Sequence, residues 1–212
     1  MSERAPRATP GEDFLTTPRA AGVAGIVFAL LMASTIVLSR IALPHGTGGE
    51  IPLDADQRQA LSWSLQIVPF AGIAFLWFTG AVRAHTGQAE DRFIATVFLG
   101  SGLVFTATLF ASAAAAGTVL NSGVSSEFGR GYAHTLLVTY ALRMAAVYVA
   151  SASAIGRRLG VMPRPLIAFG FLVALVLLVA ASTVPWLELL FPAWALVVSL
   201  YILGSARRRP AA

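Results

Sequence analysis

Residues 61–117 read LSWSLQIVPFAGIAFLWFTGAVRAHTGQAEDRFIATVFLGSGLVFTATLFASAAAAG. Two apolar runs, each longer than the roughly 20 residues that cross a hydrocarbon core, flank one short charged link. Because a backbone in lipid must satisfy its own hydrogen bonds, this pattern predicts two membrane-spanning helices joined by a tight connection. The link carries Arg83 and Arg92, which an inserted helix pair keeps on the cytoplasmic side.

The composition of the whole chain agrees with a membrane protein. Of the 212 residues, 57% are hydrophobic and only 12% are charged, against about 25% charged in soluble domains. All 15 basic residues are arginines and most lie at the ends of apolar runs, so the net charge of +5 does not indicate nucleic-acid binding. The chain has no cysteine, which excludes thiolate catalysis, iron–sulfur clusters and cysteine-based zinc sites.

The apolar runs predict an all-α polytopic bundle of six transmembrane helices within residues 19–206. A mobile tail at residues 1–18 precedes the bundle, and a basic tail at 207–212 follows it. The predicted spans cover residues 20–43, 61–82, 93–120, 132–155, 166–181 and 184–204. In the first span, Gly22, Gly25 and Ala29 form a stripe of small residues suited to close helix packing.

The arginines predict the orientation of this bundle. With the amino terminus inside, eleven arginines lie on the cytoplasmic side, namely 4, 7, 19, 83, 92, 157, 158, 164, 207, 208 and 209. Three lie outside, namely Arg40, Arg58 and Arg130. This excess follows the positive-inside rule, so we expect a multi-pass plasma-membrane protein with both termini in the cytoplasm.

Arg143 is the one charged side chain well inside a predicted span, where a guanidinium costs at least about 2.5 kcal/mol. At 100° per residue its helix face also carries polar and small residues, which predicts that the face is buried against other helices. The other members of this face are Tyr132, Thr139, Tyr140, Ala146, Ala150 and Ala154.

Glu188 and Gln66 are the predicted neighbours of Arg143. Counted at 1.5 Å per residue from the cytoplasmic arginines, Arg143, Gln66 and Glu188 lie at heights of about 21, 26 and 28 Å. These heights predict a polar pocket, open to the outer side, built from Gln66, Arg143 and Glu188 with Thr139 and Tyr140. Its ligand would be a small anionic or amphiphilic molecule. Two alternatives stay open: the same groups only satisfy one another, or Arg143 extends toward the interface without a partner.

The histidines predict no cofactor or metal site. His45 and His134 belong to the outer side and His85 to the inner link, whereas haem between spans needs ligands at membrane depth. His134 near Glu127 lacks the spacing of a zinc site, and an interfacial position is expected instead.

The segments WSLQIVPFAGIAFLWFTGAVR and EDRFIATVFLGSGLVF resemble a family of small multi-pass actinobacterial membrane proteins to which no activity has been assigned. The resemblance covers roughly residues 61–110. It depends on apolar sequence interrupted by Gln66, Pro69, Arg83, Glu90, Asp91 and Arg92. It implies a plasma-membrane location and nothing about chemistry.

The sequence favours a small binding, transport or accessory component of the membrane, in contact with the lipid bilayer. A structural or assembly subunit, either in a homo-oligomer or with a membrane-complex partner, is the alternative, and a dry, closed interior would indicate it. An intramembrane enzyme is the second alternative. It lacks support because the chain has no Gly-x-Ser-x-Gly, no His-Glu-x-x-His and no paired aspartates within a span.

Overall fold

The computed structural model describes residues 18–43, 51–86, 92–122, 124–125, 127–181, 184 and 186–207, and nearly all of them are helical. We number the α-helices in chain order. They are α1 (Pro18–Ala42), α2 (Ala55–Thr86), α3 (Arg92–Ser122), α4 (Glu127–His134), α5 (Leu142–Arg158), α6 (Arg164–Val179) and α7 (Leu190–Arg207). A π-helical stretch, Thr135–Ala141, joins α4 to α5, and a short 3₁₀ turn, Leu187–Leu189, precedes α7. The predicted tails at 1–18 and 207–212 lie outside the described residues, except that Pro18 begins α1 and Arg207 ends α7.

Five helical segments are long and apolar enough to cross a membrane. They are Ala20–Ala42, Ala55–Arg83, Phe93–Asn121, Phe128–Arg158 and Leu187–Ser205. The predicted all-α bundle of apolar helices is therefore confirmed. The fifth predicted span corresponds to α6, which has 16 residues and a length of about 24 Å, less than the usual thickness of a hydrocarbon core.

Helix α2 begins earlier than the sequence analysis predicted. The second span was predicted to begin at residue 61, whereas the helix begins directly after Asp54, because a capping box starts it there. The Gln57 N–H donates to Asp54 Oδ1 at 2.7 Å, and the Asp54 N–H donates to Gln57 Oε1 at 3.2 Å. The connection between α1 and α2 contains strand β1 (Ile51–Pro52), which pairs antiparallel with β2 (Val124–Ser125) and ties the loop before α2 to the end of α3.

The helices alternate in direction, so both ends of the described chain lie at one end of the bundle. Gly22 near the start of α1 lies against Leu203 near the end of α7. Arg40 near the end of α1 pairs with Glu188 just before α7. Contacts between other neighbouring helices fit the same alternation, joining Ser39 to Ser64, Ser112 to Ala133, Ser153 to Gly170, and Tyr201 to Val161.

The two ends of the bundle differ in charge. We call one the basic end, because within the described residues it carries arginines and no carboxylate. Its arginines are Arg19, Arg83, Arg92, Arg157, Arg158, Arg164 and Arg207. The opposite, acidic end holds every acidic residue within the described part of the chain, namely Asp54, Asp56, Glu127 and Glu188, together with Arg40, Arg58 and Arg130.

A cluster of aromatic rings fills the centre of the bundle. Phe28, Phe75, Phe105, Phe191 and Tyr148 come from five different helices and each is at most 1% exposed. Their ring centroids lie 4.9–6.4 Å apart, and most pairs meet at tilted or edge-to-face angles, as favourable aromatic pairs do. The interior at this level is therefore closed by packed rings.

The small residues of α1 allow the close approach that the sequence predicted. A methyl group at Gly25 would overlap the Ser199 hydroxyl and the Phe78 ring, and one at Gly22 would overlap Leu203. Helix α1 thus packs tightly between α2 and α7 because no side chain separates the backbones at these points.

Candidate binding groove

Arg143 lies in the first turn of α5, directly after the π-helical stretch. In that stretch the Leu142 N–H bonds to the carbonyl of Leu137, five residues back instead of four. The Arg143 Nη1 donates to the backbone carbonyl of Thr139 at 2.7 Å, which directs the guanidinium toward the acidic end of the bundle. One of its five N–H groups is used in this bond, and the side chain is half-buried.

A groove of about 450 Å³ lies beside this guanidinium, between α3 and the π-helical stretch. Its walls come from Val104 and Thr108 on α3, and from Leu136, Thr139, Tyr140, Arg143 and Met144 on the facing helix. The groove opens at the side of the bundle, since Tyr140 is 57% and Val104 48% exposed. In a membrane, that side faces lipid.

Two polar groups in the groove are available to a ligand. The only hydrogen bond of Arg143 within the described residues is the one to Thr139, so its remaining N–H groups are free. The Tyr140 hydroxyl makes no hydrogen bond to any described residue. Thr108 donates instead to the carbonyl of Val104 at 2.8 Å, so its hydroxyl hydrogen is already used. The arrangement is a cation and a hydroxyl donor in a cleft whose other walls are apolar side chains and two threonines.

Glu188 does not pair with Arg143, and the predicted partnership is wrong. Both carboxylate oxygens of Glu188 bind Arg40, with Nη2–Oε1 at 2.7 Å and Nε–Oε2 at 3.3 Å. The Trp186 ring covers the Arg40 guanidinium at 5.4 Å, in a cation–π contact. Height along the bundle agreed for Glu188 and Arg143, but height says nothing about position around the bundle. Helix α7 packs chiefly against α1, which brings Glu188 to Arg40.

Gln66 also lies apart from the groove. Its side chain is exposed and its Nε2 donates to the Ser62 hydroxyl at 3.4 Å, one turn earlier on the same helix. Of the five predicted pocket residues, the structure therefore brings together Thr139, Tyr140 and Arg143. Sequence reasoning missed the facing wall, Val104 and Thr108, because nothing in an apolar helix marks which side meets a neighbour.

The predicted burial of the Arg143 face is only partly correct. Ala146 is 2% exposed, but Tyr132 and Tyr140 are 53% and 57% exposed. The prediction used 100° per residue throughout, whereas a π-helical stretch has more residues in each turn. The part of the face between Arg143 and the acidic end is therefore rotated toward the outside of the bundle.

No group of three or more histidine or acidic side chains within the described residues lies close enough to hold a metal ion. No family model, curated protein or solved structure matches this chain. The resemblance to actinobacterial membrane proteins thus stays a prediction.

Proposed function

We propose that this protein is a six-span integral membrane protein that binds a ligand from the lipid phase in the groove beside Arg143. The observation that carries this proposal is a guanidinium with free N–H groups in a cleft that opens sideways from an apolar bundle. Charged groups at membrane depth are costly and are concentrated at functional sites, which supports a binding role for this one.

The alternation of helix directions supports six crossings. Six antiparallel passes return the chain to the basic end, where α1 begins and α7 ends. Helix α6 is short for a span, but Arg164 at its start extends its reach to the membrane interface. By the positive-inside rule the basic end faces the cytoplasm, so both termini do as well, and the membrane is the plasma membrane.

The closed centre of the bundle argues against conduction between the helices of a single copy. A channel needs a polar lining, and the aromatic cluster offers none at the middle of the bundle. Ligand access from the side is consistent with a closed centre, because the groove lies on the outer surface.

An assembly role without any ligand is the second candidate function. The same closed centre favours it, since the bundle then serves only as a scaffold. In that case Arg143 would contribute to folding through its bond to Thr139 and to nothing else.

Retention of lipid-phase molecules tests the binding role. The wild-type protein, Arg143→Gln and the control Arg157→Gln would be purified from the same membranes in a mild detergent and analysed by native mass spectrometry. We expect the wild type and Arg157→Gln to retain a bound amphiphile that Arg143→Gln loses. Equal retention in all three, or folded protein without any bound molecule, would contradict the proposal and favour the assembly role.

A further inference from the structure

The positive charge of Arg143 favours an anionic ligand in the groove. Among the described side chains, the carboxylates are those of Asp54, Asp56 and Glu188, which all lie at the acidic end, and none of them pairs with Arg143. Arg143 is 16 residues from Glu127 and 15 from Arg158, which places it about 24 and 22 Å along the helix from these ends. A cation at this depth that pairs with no carboxylate among the described side chains attracts an anion from outside the chain.

The donors in the groove suit a small oxyanion. A guanidinium binds a carboxylate or a phosphate through two parallel N–H···O bonds, and one such pair of donors is free on Arg143. The neighbouring Tyr140 hydroxyl supplies a further donor from the same wall. A large zwitterionic headgroup is disfavoured here, because its remaining polar atoms would lose water at mid-depth without finding partners.

The rest of the groove suits a hydrocarbon chain. Val104, Leu136 and Met144 form its apolar walls, and Met144 adapts readily to irregular shapes. A volume of about 450 Å³ falls within the range of small-molecule sites and exceeds what a single carboxylate side chain needs. The shape therefore favours an amphiphile over the acidic residue of a partner's transmembrane helix.

We infer that the groove binds a single-chain amphiphile whose carboxylate or phosphate group contacts Arg143 and Tyr140 and whose chain lies along Val104, Leu136 and Met144. This inference rests on the proposed function, because it names the ligand class of the same groove.

Direct binding measurements with matched probes test it. The purified, delipidated protein would be titrated with palmitate, with hexadecyl phosphate and with hexadecanol, which has the same chain and no charge. We expect at least one anionic probe to bind about tenfold or more tightly than hexadecanol. The two anionic probes distinguish a carboxylate site from a phosphate site.

Four variants show where the probes bind. Arg143→Gln is expected to abolish the preference for anions, Tyr140→Phe to weaken it, and Arg157→Gln at the basic end to leave it unchanged. Thr108→Trp, which fills the groove, is expected to abolish binding of all three probes. If Arg143→Gln fails to fold, Tyr140→Phe and Thr108→Trp still test the assignment.

The outcomes separate the inference from the proposed function. If all probes bind equally and only Thr108→Trp abolishes binding, the groove is a binding site but its anion selectivity is wrong. If no probe binds, or Thr108→Trp has no effect, the proposed groove function fails as well. A photocrosslinker at position 140 that captures a membrane protein and no lipid would assign the groove to a partner and overturn the inference.

Discussion

The pair Arg40–Glu188 resembles a buried ion pair more than a surface one. The side chains are 15% and 3% exposed, the contact uses two N–H···O bonds, and Trp186 covers the guanidinium. Trp186 adopts a left-handed backbone conformation, with φ of 71°, which a bulky residue rarely does without compensation. The contact between its ring and Arg40 is one such compensation.

Removal of the negative charge should therefore destabilise the protein. Glu188→Gln leaves the Arg40 guanidinium without its carboxylate, at an expected cost of about 3 kcal/mol, the lower end of the range for breaking a buried pair, because Arg40 keeps some contact with solvent. Thermal unfolding in detergent measures the loss.

The matched control for this change is the double variant Arg40→Gln with Glu188→Gln. Because neither charge then remains unpaired, it should recover part of the stability lost by Glu188→Gln alone. A melting temperature of Glu188→Gln equal to that of the wild type would show that the pair contributes nothing.

At this scale the sequence predicts which residues are unusual but not which residues they meet. Arg143 and Glu188 stand out in apolar sequence, and Thr139, Tyr140 and Arg143 do share one wall of a groove. The predicted partner of Glu188 was wrong because the estimate gave only the height of a residue along the bundle and not its position around the bundle axis. The spacing of Asp54 and Gln57 is that of a capping box, which is readable in the sequence and marks the true start of α2.

The π-helical stretch is the element that shapes the groove. Before this stretch, the Ala133 carbonyl accepts a hydrogen bond from the Ser112 hydroxyl on α3. After it, the Tyr148 ring packs against Gly102, which is also on α3. The segments on both sides of the π-helical stretch, α4 and α5, are thus held against α3. The wider turn between them accommodates the difference in their rotation about the helix axis. The sequence TLLVTYA has no Pro or Gly and does not reveal a wider turn.

Deletion of one residue from this stretch should remove the groove while keeping the helix. We expect deletion of the exposed Thr135 to restore ordinary α-helical bonds and to turn the groove residues by about 100° relative to Ala133, whose carbonyl is held by Ser112 of α3, so that they no longer face α3. Helix content by circular dichroism should be unchanged, and binding of the best amphiphile should be lost.

The substitution Thr135→Ala is the matched control for the deletion, because it keeps the residue count and changes only an exposed side chain. It should bind like the wild type. Full binding by the deletion variant would show that the π-helical turn has no part in forming the groove.

For the whole molecule, the separation of charge between the two ends sets the expected orientation. A reporter fused after Arg207 should report a cytoplasmic position, and a reporter inserted between residues 46 and 49 should report a position on the outer side. The opposite pattern would reverse the orientation, and a result that places both reporters on the same side would mean that α6 does not cross.

The orientation prediction can be tested further by moving charge. Replacement of Arg157 and Arg158 by Gln removes two of the basic residues next to α6. If these arginines help to retain the basic end in the cytoplasm, some copies of the variant should insert in the other orientation. Each reporter should then be detected on both sides of the membrane, whereas in the wild type it is detected on one side.

The sealed aromatic centre also matters to a cell that makes this protein in quantity. Helices with exposed polar interiors would let protons and ions leak and would drain the electrochemical gradient that powers the cell. Here the rings of Phe28, Phe75, Phe105 and Phe191 close the middle of the bundle, so we expect a single inserted copy to leave that gradient intact.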